Sequence, residues 1–112
     1  MIQHDRNSGR TTADPIKGTD MATILVFEFP SAGPYAGEAA EAYRGLAEDI
    51  AGEQGLRWKV WTENAERGVA GGVYLFDTVA DAERYTAFHT ERLRSFGITD
   101  IDARSFETND AL

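Results

Sequence analysis

Acid–base chemistry near neutrality needs a group such as imidazole, whose ordinary pKa of about 6.5 lets it accept and return a proton. The chain has two histidines and no cysteine. His4 lies in a polar N-terminal stretch, which leaves His89 as the candidate general base of the folded part. It falls one turn from both Tyr85 and Leu93, on a stripe that also takes in Ala82, Phe88 and Phe96. On such a stripe it either lines a cavity between helix and sheet or sits in the core bonded to a backbone carbonyl. The aromatic residues offer the other half of a site. Trp58 and Trp61 are three apart in a strand-like run and so point to opposite faces, one toward the helices or a cavity beneath them and the other toward a second sheet. The spacing does not say which is which, and aromatic rings on a sheet are also ordinary core. Tyr74 needs a hydroxyl partner if buried. Tyr35, on a loop, either caps a pocket mouth or faces solvent. Phe27 and Tyr85 complete the candidate binding set, with Trp61 and Tyr74 as the groups that would position a ring or donate hydrogen bonds.

Other chemistries find no support. Two histidines without cysteine are too few ligands for a dedicated transition-metal site. No serine lies in a G-x-S-x-G elbow. Gly71-Gly72 belongs to neither a dinucleotide fingerprint nor a phosphate loop and is taken as strand entry. Arg57, Lys59, Glu63 and Arg92 are expected on a solvated rim or in ion pairs between subunits.

The elements that must position these residues follow from periodicity. Thr23-Ile24-Leu25-Val26-Phe27-Glu28-Phe29 is a strand apolar on both faces, so helices on one face alone would leave apolar side chains in water. A helix is expected from Tyr35 to Ala51, with Ala39, Tyr43, Leu46, Ala47 and Ile50 on its apolar stripe, ended by Gly52 and Gly55. The runs Arg57–Glu63 and Gly71–Asp77 form a β-hairpin joined by 64–70. A second helix spans Val79 to Phe96, and Ile98 to Thr108 supplies a last strand. This order, βαββαβ, is the ferredoxin-like α+β arrangement: a four-stranded antiparallel sheet with two helices on one face. The other face needs a cover, and a second copy of the chain, forming a homodimer, is the economical one.

At 112 residues the chain is one domain. Its net charge of −8 lacks the basic footprint that a nucleic acid or an anionic membrane would require. Residues 1–20 are polar and aperiodic and are expected to be a disordered extension, with 21–112 as the folded domain and Met21 a sufficient start for it. Arg6, Arg10 and Lys17 balance Asp5, Asp14 and Asp20 there, so the domain carries the whole negative balance. No run approaches the ~20 apolar residues of a membrane span and no apolar leader core is present, so a cytoplasmic protein is expected.

The run Gly55-Leu56-Arg57-Trp58-Lys59-Val60-Trp61-Thr62-Glu63 with Ala70-Gly71-Gly72-Val73-Tyr74-Leu75-Phe76 resembles the YdhR-like monooxygenase family of small dimeric α/β-barrel proteins. Met21-Ala22-Thr23-Ile24-Leu25, Gly33-Pro34-Tyr35 and His89-Thr90-Glu91-Arg92-Leu93 agree with it, so that the likeness runs from about Met21 to Asn109. The resemblance implies sheets paired across a two-fold axis. It also implies oxidation of an electron-rich phenol- or quinol-type aromatic by dioxygen with no cofactor, His89 acting as base. Haem binding or degradation through a helix histidine, as in other members of the superfamily, is one alternative. A dimer that holds an aromatic ligand without chemistry is the other.

Overall fold

A computed structural model describes residues 21–112 of the chain. The expectation for residues 1–20 lies outside the described residues. The elements are β1 (Thr23–Pro30), α1 (Ala36–Ala42), α2 (Arg44–Ala51), β2 (Leu56–Asn64), β3 (Val69–Phe76), α3 (Val79–Ser95) and β4 (Asp102–Glu107). The strands form a single sheet in the order β2-β3-β1-β4, every neighbouring pair antiparallel. This is the ferredoxin-like α+β fold, with three helical segments where the periodicity gave two helices.

The difference lies at Tyr43. Its backbone (φ −108°, ψ 15°) leaves the helical region and splits the expected 35–51 helix into α1 and α2. α1 buries none of its residues, whereas α2 buries Ile50 against the sheet, so packing fixes the direction of α2 and places no such demand on α1. The long helix α3 is better defined. Thr78 caps it by accepting from the backbone N–H of Asp81 at 3.0 Å, and Ala82, Tyr85, His89 and Leu93 form its buried stripe. Phe88 and Phe96, expected on that stripe, are exposed; Phe88 instead carries the Arg92 guanidinium over its ring. The helix ends in a Schellman pattern, with Gly97 at φ 87°, its N–H donating to Arg94 and that of Ile98 to Leu93. Ile98 is thereby part of the helix cap, and β4 starts at Asp102 rather than at Ile98.

The core fills the space between α2, α3 and one sheet face. Leu25, Phe27, Ile50, Tyr74, Phe76, Ala82, Tyr85 and Leu93 form it, with Phe27, Tyr74, Phe76 and Tyr85 in edge, tilted or stacked ring contacts. Gly71 is required where β3 meets β1, because a Cβ there would run into the carbonyl oxygen of Phe27. Gly71 and Gly72 thus sit inside β3, not at its entry. No helix of the described residues is long and apolar enough to cross a membrane.

Candidate active site

The register decides which tryptophan faces the helices. Lys59 pairs with Tyr74 and Trp61 with Gly72, which also pairs with Phe27, so Lys59 and Trp61 lie on the helix side of the sheet. Trp58 pairs with Leu75, on the opposite side, after a bulge between Leu56 and Trp58 that shifts the alternation. The two indoles do point to opposite faces.

On the helix side the chain forms a cavity of about 830 Å³ that is open to solvent along one side. Its walls are Ala39 and Ala40 of α1, Leu46 and Ala47 of α2, Leu93 of α3 and Phe96 at the C-cap of α3; the Phe29–Pro34 segment closes one end, and Lys59, Trp61 and Tyr74 rise from the strands. His89 opens onto it. Glu63, also on the wall, accepts from the backbone N–H of Ala36 at 2.9 Å, which ties the first turn of α1 to β2 across the opening.

Of the expected site residues, the structure brings His89, Tyr74 and Trp61 together on this cavity. Phe27 and Tyr85 stand one layer behind: Phe27 meets the His89 ring edge-on at 5.0 Å between centroids, and Tyr85 stacks on it at 4.9 Å. Tyr35 donates its hydroxyl to the Ser31 carbonyl at 2.6 Å and so braces the loop that forms the cavity end without lining the cavity itself. Trp58 borders a separate hollow of about 210 Å³ between α2 and the edge strand β2.

His89 is 3 % exposed, and its Nδ1 accepts from the Arg92 Nε at 3.2 Å, with Arg92 Nη2 at 3.0 Å. Those bonds place the ring proton on Nε2. Burial, then the charges of Arg92 and Lys59, pull the imidazole down to about 3. A ring of that kind is neutral at physiological pH and acts as a donor through Nε2; it has no lone pair free to take a substrate proton. This geometry favours donation by His89 over the general-base role expected for it.

Arg92 is held in turn by Asp49 at 2.6 Å and is only 13 % exposed at its side chain, so it forms an internal brace and not a rim. Arg57 pairs with Asp77 within the chain. Tyr85 donates its hydroxyl to that of Tyr74 at 3.2 Å; burial pushes Tyr74 up to about 12 and Tyr85 higher still, so both stay protonated.

Lys59 departs furthest from expectation. It lies on the cavity wall and not on a solvated rim, its Nζ 3.2 Å from the centroid of the Trp61 ring and 4.7 Å from that of Tyr74. The side chain runs over Gly72, where a Cβ would come within 2.7 Å of its Cε. A lysine beside a tryptophan in an exposed-looking strand gives no signal of this. The pairing of Lys59 with Tyr74 and of Trp61 with Gly72 had to be known. No group of three or more His, Asp or Glu side chains that could hold a metal gathers among the described residues.

The family model described as "Putative mono-oxygenase ydhR" matches residues 24–112. No curated protein matches the chain. Among solved structures, a putative antibiotic biosynthesis monooxygenase from Deinococcus radiodurans is similar in fold, with a TM-score of 0.54 at 17 % identity, covering 80 % of this chain and 95 % of that one. The sheet order, the helix-roofed cavity and the family match over all but the first residues agree, and the chain belongs to the ydhR mono-oxygenase family.

Proposed function

We propose that the protein is a cofactor-independent monooxygenase that oxidises an electron-rich phenol- or quinol-type aromatic with dioxygen in the cavity beneath α1 and α2. The observation that carries this reading is the cavity: about 830 Å³, inside the range of roughly 300–1,000 Å³ of small-molecule sites, apolar on most of its wall, with His89, Tyr74 and Lys59 converging on it.

The substrate itself is the reductant. A phenol that loses its proton becomes an anion able to give an electron to dioxygen; the two radicals combine at a ring carbon, and the resulting hydroperoxide loses water. Phenol plus dioxygen yields quinone plus water, so atoms and electrons balance without a further donor. The protein has three tasks. Trp61, one face of which carries Lys59, borders the space the ring enters. The Nε2–H of His89 donates to the oxygen on which charge develops. The alanine and leucine walls keep bulk water from the radical pair. We extend the reading to the assembly: a second copy covers the sheet face turned away from the helices, where Trp58, Val60 and Phe106 are half-exposed.

Oxygen uptake with a quinol- or anthrone-type substrate tests the reaction. His89→Ala should lower it by about a hundredfold, the usual cost of losing an oxyanion donor, with circular dichroism unchanged. Undiminished uptake removes His89 from the mechanism, and stabilisation by aromatics without any uptake marks a binding protein instead.

A further inference from the structure

We propose that Lys59 is the group that takes the acidic proton of the ligand and then holds the resulting anion, so that the cavity selects phenols and enols that ionise readily. The proposal rests on the functional reading above and names the base which that reading requires.

Lys59 is the only lysine of residues 21–112; every other cationic side chain there is an arginine. Each of those arginines, at 44, 57, 67, 84, 92, 94 and 104, has a carboxylate partner. Lys59 has none among the described residues, and its partners are the faces of Trp61 and Tyr74. Arginine keeps its proton in any protein setting, whereas an amine can release and recover one. The single cation that can switch is thus placed on the cavity wall, where the other cation, Arg44, is paired with Glu41.

The slot that holds it is built. Gly72, opposite Trp61 in the register, supplies the empty floor over which the Lys59 stem runs. The groups facing the amine are Tyr74 from β3, His89 and Arg92 from α3, and, on the cavity wall, Arg44 from α2 and Glu63 from β2. Burial, then the Arg92 charge, bring the amine from its ordinary value down to about 7. Near neutrality much of it is therefore unprotonated. In the step, the ligand O–H bond breaks as an N–H bond forms at Nζ; the ammonium remains against the Trp61 face, where the ring quadrupole favours it, and pairs with the new phenolate.

A nitrophenol makes a suitable probe, because its phenolate absorbs apart from its phenol and its ring is too electron-poor to be oxidised. Bound to the wild-type protein slightly below neutral pH, it should show about a tenfold larger phenolate-to-phenol ratio than in buffer, one pKa unit of preference. Lys59→Met should bind it as the neutral phenol. Lys59→Arg, a cation that accepts no proton, should restore the phenolate band but not oxygen uptake with a weakly acidic phenol. Should Lys59→Met fail to fold, acylation of wild-type Lys59, followed on its own peptide, should reach half its limiting rate near pH 7 and be blocked by the probe. A phenolate band that survives in Lys59→Met, a probe that binds the wild type only as phenol or not at all, or acylation that rises only in strong alkali overturns the proposal. A Lys59-dependent band from a protein that consumes no oxygen with any phenol upholds Lys59 and overturns the monooxygenase reading instead.

Discussion

On the helix side of the sheet, Leu25, Phe27, Tyr74 and Phe76 are at most 1 % exposed, while on the other side Trp58, Val60 and Phe106 are 42 %, 53 % and 51 % exposed. Both faces are built from aromatic and branched apolar side chains, and the alternation of β1 is the same on each: Leu25 and Phe27 inward, Ile24 and Val26 outward. Composition alone does not separate them. What separates them is cover, and the helices supply it incompletely even on their own side: α2 and α3 bury side chains against the sheet, α1 buries none, and the space beneath it is the cavity. One face is a core with a hollow left in it. The other is an apolar surface of the sort that closes on a partner.

The strongest way to test that contrast is truncation on each face. Phe27→Ala should cost about 3–5 kcal/mol in urea unfolding, because the ring is buried among Tyr74, Tyr85 and His89 and the gap cannot collapse. The next effect is on pH dependence, confined to the helix face. His89 is held at about 3 against an ordinary 6.5, so the unfolded chain binds the proton first on acidification; its contribution to stability is complete above 6.5 and is lost as pH falls toward 3. Lys59 is held at about 7 against an ordinary 10.5, so stability should rise from pH 7 to 10.5 as the unfolded chain gives up a proton that the folded one has already lost. Thermal melts across pH read both limbs, and Lys59→Met should flatten the alkaline one and only reduce the acid one, because burial and Arg92 still hold His89 down when the Lys59 charge is gone. The smallest effect on monomer stability is expected on the open face, where Val60→Ala should cost less than about 1 kcal/mol. Val60→Asp should instead show in sedimentation, halving the mass at unchanged circular dichroism. A loss at Val60 as large as at Phe27 would mean that one chain already covers both faces.

Much of the fold was legible because the strands and α3 carry strong local signals. Thr23–Phe29 is apolar throughout, the hairpin concentrates Trp, Tyr and Val between glycines, and Ala82, Tyr85, His89 and Leu93 repeat at helical spacing. The break at Tyr43 was not legible, since Ala39, Leu46 and Ala47 keep helical spacing across it and only the lack of anything to pack against sets α1 apart. That His89 and Tyr74 would border a cavity was a legible possibility because aromatic and imidazole side chains on apolar stripes announce themselves, whereas the choice of Trp61 over Trp58 needed the strand register. The protonation state of His89 was not legible, because it depends on Arg92, one turn away on α3, turning inward to bridge Asp49. Lys59 was missed for a related reason. Its place on the cavity wall arises from Gly72 and Tyr74 on the neighbouring strand, and a pairing register is a long-range fact.

The claim that the hollow under α1 is where oxidation happens is tested most directly by counting dioxygen against product in purified protein given an anthrone-type substrate, chelator and no added cofactor. One dioxygen should be consumed per carbonyl formed, and Ala39→Trp, which fills the cavity from α1 without entering the core, should return the rate to that of the substrate alone. An unchanged rate in Ala39→Trp, or no uptake by the wild type, would contradict it.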